Sequence, residues 1–526
     1  MQKKIFFVLA LSLLSMLLPL GVTAAPTKGT ILFVPHDNRP ISDQQSADVV
    51  RRLGYKVLVP PAELLGGRED LGQPNKLWAW TRAQAKNAQA AVLSSDALLY
   101  GSLIGSRKHT YTKQEVLNRA NGFTLLRQAN PDLKLFVFGS IMRTPKSGAA
   151  AGFEEPDYYL TYGNDFFRYT ELTDLAVNGK LTAEEEREYK TLTRKIPLAY
   201  LQDWFDRRAK NFATNHKLLA LAKAGTFDYF ILGKDDGAPH SQTHLESQQL
   251  TKYAGSLSNN KFQIMNGIDE MGLMLLTRAV HTMTNKHPTV FVNFNKSGQI
   301  IPAYSDEPLE KSLHNAIIAT GARAVSKPQK ADLVLAINTN PDGKNGEANS
   351  LADNNGSPRA GTEQFVALVD SYVKAGYPVG VADIAFANGS DNALMQLLQR
   401  HQLLSKLRAY GGWNTATNTI GFLLGEGLLG KNLSAADQKE LLLLRYLEDW
   451  GYQANIRTTL MQRAELFKHG YIYATMNEHR PSLEAEVTKL LRAFALKHLP
   501  PFKGLDTLTV KFPWNRGFEA DIQLGK

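Results

Sequence analysis

Two short stretches of the chain each end in a pair of acidic residues. Asp235 and Asp236 follow the apolar residues 230–232, and Asp269 and Glu270 follow residues 262–265. Carboxyl groups that lie close together cannot all ionise freely, so one is driven to keep its proton while another stays charged. A glycosidase needs this division, with one carboxylic acid to protonate the leaving oxygen and one carboxylate as nucleophile, base or positioning group. The two pairs therefore predict the catalytic groups of a glycosidase.

The adjacency of the acids also suits N-acetylated or envelope glycans. In substrate-assisted cleavage the acetamido oxygen of the sugar is the nucleophile, and the enzyme supplies a polarising acid beside a proton donor. Adjacent Asp-Asp or Asp-Glu residues can supply both groups. The alternative interpretation of each pair is a turn followed by a helix amino terminus, where acidic side chains accept hydrogen bonds from free backbone N–H groups.

Other polar residues follow other predicted strands. In parallel α/β folds the loops at the carboxyl ends of strands converge on one edge, so these residues are expected to surround the acids. An aromatic face beside amides is typical of a sugar pocket, although Trp413 would equally suit a core position. The predicted substrate-binding residues are Asp37, Arg39, Asp96, Arg107, Arg143, Asn388, Asp391, Trp413, Asn414 and Arg516.

A metal centre is the main rival to this chemistry. Nitrogen and oxygen ligands for a divalent ion would suit a deacetylase or a phosphoesterase, and the candidate ligands are His36, Asp37, Asp235, Asp236, His240 and Asp269. The chain has no His-Glu-x-x-His motif, and His240 and His244 are expected to face solvent on a helix. The glycosidase hypothesis therefore includes neither a metal nor a cofactor.

Two further kinds of chemistry lack their motifs. No Gly-x-Ser-x-Gly elbow is present, which disfavours a serine hydrolase. The glycine-rich residues 101–105 and 421–427 lack the lysine and the spacing of a phosphate loop, so nucleotide chemistry is not predicted.

Strands rich in branched apolar residues alternate with helices and predict a parallel sheet covered on both faces. Seven strands precede residue 300, which favours a (β/α) barrel-like domain over residues 25–300, with a doubly wound sheet as the alternative. A charged, aromatic-rich helical insertion is expected at about 149–225. A second, smaller α/β domain is predicted over 301–430, and a helical segment with a tail over 431–526.

The amino terminus has the pattern of a secretory signal. Residues 1–24 combine Lys3 and Lys4, an apolar run and small residues at the end. We therefore expect a secreted or envelope protein with no membrane span after cleavage. The 526 residues include no cysteine, which excludes disulfides and thiolate ligands. The formal charge of +10 is spread along the chain without a basic run between aromatics, so a glycan or other small polar partner is expected rather than nucleic acid.

Several motifs together resemble one bacterial family, the domain-of-unknown-function family 4127. They occupy residues 34–40, 94–107, 233–236, 267–270, 382–391, 412–415 and 513–516. The chain differs from the resemblance at His36 and Asn38, where leucine and aspartate are expected, which leaves Asp37 and Arg39 as stronger site candidates. The resemblance implies that the second half and the carboxy-terminal segment complete the same cleft. It implies no activity, and a non-enzymatic glycan or solute receptor remains an alternative.

Overall fold

The computed structural model describes residues 27–148, 152–340, 342–343, 345–350, 352–462 and 475–525. The predicted signal sequence lies outside them. The strands, in chain order, are β1 (Thr30–Val34), β2 (Lys56–Leu58), β3 (Ala90–Ser94), β4 (Lys134–Ile141), β5 (Tyr229–Lys234), β6 (Phe262–Asn266), β7 (Thr289–Phe294), β8 (Arg323–Val325), β9 (Leu333–Asn338), β10 (Gly346–Glu347), β11 (Val379–Asp383), β12 (Phe386–Ala387), β13 (Ala409–Gly411), β14 (Thr509–Lys511) and β15 (Asp521–Gln523).

The helices lie between these strands and after them. They are α1 (Gln44–Arg51), α2 (Pro74–Ala85), α3 (Ser95–Tyr100), α4 (Leu103–Lys108), α5 (Lys113–Ala129), α6 (Tyr159–Val177), α7 (Ala183–Lys195), α8 (Leu198–Lys223), α9 (Gln242–Ala254), α10 (Met271–Met283), α11 (Leu309–Ala319), α12 (Thr362–Lys374), α13 (Asn392–Arg400), α14 (Ala416–Leu429), α15 (Ala435–Arg445), a π-helix (Tyr446–Ile456), α16 (Arg457–Gln462) and α17 (Arg480–His498).

The first sheet is parallel and open, with strand order β2-β1-β3-β4-β5-β6. Alternate residues of β1 enter different cores: Ile31 and Phe33 pack on one face, and Leu32 and Val34 pack on the other. This alternation is what a strand covered by helices on both faces requires. The predicted parallel α/β class is confirmed, and of its two variants the molecule has the doubly wound sheet rather than a barrel.

The barrel alternative does not form because β7 belongs to the second sheet. That sheet is also parallel, with order β13-β11-β9-β7-β8. In the sequence, β7 continues the series of the six strands before it. Its apolar pattern suits either sheet, and only its hydrogen bonds to β8 and β9 decide the assignment.

Helices α10 and α14 pack against each other between the two sheets, and one continuous core includes residues of both. A Cβ atom on Gly425 would lie 2.5 Å from Cγ of Leu273, and one on Gly421 would lie 2.5 Å from Cβ of Glu270. The glycines at these two positions therefore allow the helices to approach closely. The glycine-rich stretch 421–427 is a packing surface.

Two regions outside the sheets complete the molecule. Helices α6, α7 and α8 form the insertion after β4, around a small core that includes Tyr159, Phe166 and Trp204. The carboxy-terminal region contains the π-helix, α17 and an antiparallel pair of strands, β14 and β15. Within the described ranges, no helix has the length and apolar character needed to cross a membrane.

Candidate active site

The acid pair after β5 is held by two arginines. Arg107 donates from Nη2 to Oδ2 of Asp235 at 2.5 Å, and Arg143 donates from Nη1 to Oδ2 of Asp236 at 3.0 Å. The Asp235 side chain is 10% exposed, whereas that of Asp236 is 30% exposed. Burial and then the charge of Asp235 raise the pKa of Asp236. Asp236 is therefore the more exposed of the two neighbours, and its pKa is raised.

The first residue of the pair after β6 is also bound by an arginine. Arg39 donates from Nη2 to Oδ1 of Asp269 at 2.6 Å and to Oδ2 of Asp37 at 2.7 Å. His36 Nε2 lies 3.1 Å from the same Asp269 oxygen. Burial alone would raise the pKa of Asp269, but the charge of Arg39 and the His36 hydrogen bond lower it to about 2. Asp269 is thus an ionised carboxylate that faces the same edge as Asp236.

The second residue of that pair, Glu270, points into the protein. Its Oε2 accepts a hydrogen bond from Nδ2 of Asn418 on α14 at 2.5 Å, and its side chain packs against Gly421. The residue is fully buried, and burial raises its pKa to about 8. Glu270 therefore lies between the sheets and does not face the loop edge where Asp236 and Asp269 lie.

Loops from the second sheet reach the same edge. Asn414, after β13, donates from Nδ2 to Oδ2 of Asp269 at 3.4 Å, and its carbonyl oxygen accepts from the backbone N–H of Asn388 at 2.8 Å. Asn388 Nδ2 donates to Oε2 of Glu347 at 2.8 Å, and the Tyr304 hydroxyl donates to its Oε1 at 3.3 Å. The carboxyl ends of the strands in both sheets therefore meet at this edge.

The carboxy-terminal segment covers this junction. The centroid of the Trp514 ring lies 4.8 Å from the guanidinium carbon of Arg39 and 4.7 Å from that of Arg516. Arg516 also pairs with Glu154, whose Oε2 accepts from Arg143 at 3.1 Å. The π-helix helps to fix the segment, because Oε1 of Glu448 accepts from the N–H of Ala520 at 3.2 Å.

These contacts form a continuous chain, which we call the rim. Its two ends lie near each other, because the Tyr304 carbonyl oxygen would be 3.4 Å from a Cβ atom built on Gly237, the residue after Asp236. Its members, in order, are Asp236, Arg143, Glu154, Arg516, Trp514, Arg39, Asp269, Asn414, Asn388, Glu347 and Tyr304.

The rim concentrates backbone strain. Asp236, Tyr304, Asn388, Asn414 and Trp514 all have positive φ, between 47° and 61°. A non-glycine residue in this conformation costs roughly 1–3 kcal/mol, and such residues cluster at functional sites where the surrounding contacts hold them. These five strained residues are all members of the rim.

Several predicted residues are not available at the rim. Trp413 is 2% exposed and packs edge-on against Phe422, so the expected stacking surface is a core residue. Asp391 is fully buried, caps α13 and pairs with Arg359. Both residues were chosen for their type and their position after a strand, and neither signal distinguishes an inward side chain from an outward one.

Asp96 lies beneath the rim and is 2% exposed. Burial raises its pKa to about 6, and its Oδ2 has no hydrogen-bond partner among the described residues. Its charged neighbours include Asp235, which raises this pKa, and His36, which lowers it, so Asp96 lies close to both.

The predicted metal ligands do not assemble as one set. The Arg39 guanidinium lies between Asp37 and Asp269 and bonds to both, which places a cation where the ion was expected. His240 instead lies beside Asp174 and His244. The expectation that His244 faces solvent is wrong, since its Nδ1 lies 2.6 Å from Oδ2 of Asp174.

A pocket of about 450 Å³ opens at the opposite edge of the molecule. Residues that precede strands, among them Lys28, Pro288 and Asp332, line it. In parallel α/β folds catalytic residues collect at the other end of the strands, so we place the candidate site at the rim.

A comparison with protein families covers both sheets and the carboxy-terminal segment. The family described as "Protein of unknown function (DUF4127)" matches residues 31–523. The chain belongs to the DUF4127 family. No match was found among curated proteins or among solved structures. The resemblance seen in the sequence is thus confirmed over both sheets and the terminal segment of this DUF4127 protein.

Four rim residues are not among the predicted site residues: Glu154, Glu347, Tyr304 and Trp514. Glu154 belongs to the predicted charged insertion, and Tyr304 lies just after the first predicted domain, where no strand end indicates a site. Glu347 lies in the short strand β10, within a stretch whose composition predicts turns. Trp514 belonged to a motif of the resemblance, but Trp413 was preferred to it as the aromatic group.

Proposed function

We propose that this DUF4127 protein is a carbohydrate-active hydrolase, a glycosidase, with Asp236 as its general acid. The observation that carries the proposal is the contrast within one pair: Asp236 is partly exposed and has a raised pKa, beside Asp235 in a tight ion pair with Arg107. A proton donor beside a fixed carboxylate is the division of roles that glycoside cleavage uses.

Asp236 would transfer its proton to the glycosidic oxygen as the bond to the anomeric carbon breaks. A general acid must be protonated at the working pH, and the raised pKa of Asp236 favours this form. Arg143, which donates to Asp236 and to both Glu154 and Glu155, would orient the carboxyl group. After proton transfer the same guanidinium would stabilise the new carboxylate.

Asp235 would act as the charged partner of the acid. Arg107 fixes its position and is itself fixed by Glu154 at 3.0 Å. An oriented carboxylate of this kind can polarise the N–H of a substrate acetamido group, so that the acetamido oxygen attacks the anomeric carbon. N-acetylated glycans are therefore the proposed substrate class, and water completes the hydrolysis.

The remaining rim residues would bind the sugar. Trp514 offers an indole ring that is partly exposed, and Asn414 and Asn388 contribute amides elsewhere on the rim. Asp269 would hold Arg39 and Asn414 in place as a permanently charged carboxylate. We assign Glu270 no contact with substrate, because it is fully buried against α14.

Export through the predicted signal sequence would place the enzyme with envelope glycans. The direct test is product analysis by mass spectrometry after incubation with N-acetylated oligosaccharides and with purified cell-wall glycan. The proposal expects shorter glycans with new reducing ends. Saturable binding in calorimetry without any product would instead support the glycan receptor.

A further inference from the structure

Away from the rim, three potential ligand atoms converge on one point. Oδ2 of Asp174, on the insertion helix α6, lies 2.6 Å from Nδ1 of His244 and 3.6 Å from Nδ1 of His240. Ligand atoms of all three residues lie within 4.8 Å of one another. Asp174 comes from one region, and the two histidines flank the start of α9. The fold thus brings together groups about 70 positions apart in the chain.

The environment of each group suits a bound cation. The Asp174 side chain is fully buried, and Asn178 donates to its Oδ1 at 2.7 Å. The Nδ1 atom of His240 is buried and has no hydrogen-bond partner in the described part of the chain. Buried polar atoms nearly always have a partner, so an unpaired ring nitrogen next to a carboxylate indicates a missing ligand.

We propose that Asp174, His240 and His244 bind one divalent transition-metal ion of the zinc type. Two imidazole nitrogens and one carboxylate oxygen are a ligand set that such ions prefer, whereas Mg²⁺ and Ca²⁺ favour oxygen alone. The histidine side chains are 32% and 19% exposed, so water can complete the coordination. The chain has no cysteine that would compete as a ligand.

The three ligand atoms, which lie within 4.8 Å of one another, would have to move to the spacing that one ion requires. Zinc ligands lie at about 2.0–2.2 Å from the ion, which places two ligands of a tetrahedral site about 3.3 Å apart. The 2.6 Å contact must therefore lengthen and the 3.6 Å contact must shorten, each by less than about 1 Å.

A contact of His244 outside the ligand set also suits metal binding. Nε2 of His244 lies 3.1 Å from the amide of Gln248, which can accept its proton in the flipped orientation. Second partners of this kind fix the tautomer of a ligating histidine.

The ion would connect the insertion to the loop that carries the proposed acid. His240 is four residues after Asp236. Asp174 lies on α6, which begins five residues after the rim residue Glu154. A metal bond across this junction would limit the motion of the loop between β5 and α9. The inference concerns binding and loop order, and it does not depend on the reaction at the rim.

Zinc titration of the untagged full chain tests this inference, after treatment with a chelator and dialysis. We expect calorimetry to give one Zn²⁺ per chain and the melting temperature to rise with added Zn²⁺. His240→Asn and His244→Asn should each weaken binding at least tenfold. His287→Asn, which changes an exposed histidine at the amino end of β7, should bind as the wild type does.

The His240→Asn variant is expected to fold normally, because Nδ1 of His240 makes no hydrogen bond that the substitution would remove. Its circular dichroism and melting temperature without metal should match those of the wild type. Added Co²⁺ should give visible absorption bands in the wild type and not in this variant. Absence of saturable Zn²⁺ binding in the wild type would overturn the proposal, and so would wild-type affinity for Zn²⁺ in both histidine variants.

Discussion

The two acid pairs use the same residue types with opposite results. In each pair the first acid is bound by an arginine, Asp235 by Arg107 and Asp269 by Arg39, and the second has a raised pKa. Asp236 is 30% exposed at the rim, whereas Glu270 is fully buried against α14. The comparison teaches that a raised pKa marks a candidate acid only where the side chain also faces the substrate.

The largest effect is expected from Asp236→Asn, which keeps the shape of the side chain but removes its proton. The turnover number should fall by about 10²- to 10⁴-fold, the usual contribution of a general acid. Asp228→Asn is the matched control: Asp228 precedes the same strand, pairs with Arg127 at 2.7 Å and has a side chain 33% exposed. Steady-state kinetics with circular dichroism should show full activity in the control and a folded, inactive Asp236 variant.

Arg143→Lys should reduce kcat/KM by about 10- to 100-fold, because a lysine cannot bond to Asp236, Glu154 and Glu155 at once. Arg127→Lys makes the same exchange in an ion pair at the amino end of β5 and should leave the kinetics unchanged. Equal kinetics in both variants would show that Arg143 does not orient the acid.

The two tryptophans give a third contrast. Trp514→Ala should raise KM by about tenfold with little change in the melting temperature, since loss of one stacking contact costs roughly 1–2 kcal/mol. Trp413→Phe should instead lower the free energy of unfolding by roughly 1–3 kcal/mol and leave KM unchanged, because Trp413 is 2% exposed in the core. A raised KM in the Trp413 variant would mean that this core residue also acts on substrate.

Glu270→Gln should have the smallest effect on activity, within about threefold, and a distinct effect on stability. Burial raises the pKa of Glu270 from an ordinary value of 4.5 to about 8, so its contribution to stability is full below pH 4.5 and is lost as the pH rises through 8. Glutamine does not titrate. The variant should therefore gain stability relative to the wild type between pH 5 and pH 8, measured by urea unfolding.

The variant should still lose some stability as the pH rises, because burial also raises the pKa of Glu426 and Glu448 to about 8 in both proteins. A difference between variant and wild type that does not change with pH would mean that Glu270 is ionised in the folded protein. A large loss of turnover in the variant would place it in the chemistry.

Most of the fold and several rim residues could be predicted because their signals are local. Branched apolar runs define the strands, and the polar residues directly after β5 and β6 lie at the loop edge for that reason alone. The sheet that contains β7 could not be predicted, since hydrogen bonds to β8 and β9 are not encoded in its own pattern.

The direction of side chains was the other limit. Asp236 and Glu270 are both the second acid of a pair in the turn after a strand, so residue type and position could not separate the exposed one from the buried one. Likewise, Trp413 and Trp514 both precede an asparagine, yet one is a core residue and the other contacts two arginines. The contact between Asp174 and His244 could not be predicted either, because the two residues are 70 positions apart and only the fold brings them together.

The most direct test of the central claim is glycan cleavage in H₂¹⁸O, followed by mass spectrometry, with the wild type, Asp236→Asn and Glu270→Gln. We predict that the wild type and the Glu270 variant release fragments with one ¹⁸O at each new reducing end, and that the Asp236 variant binds the same glycan without cleaving it. Cleavage by the Asp236 variant at the wild-type rate, or glycan binding by the wild type with no labelled product, would contradict the assignment of Asp236 as the acid of a glycosidase.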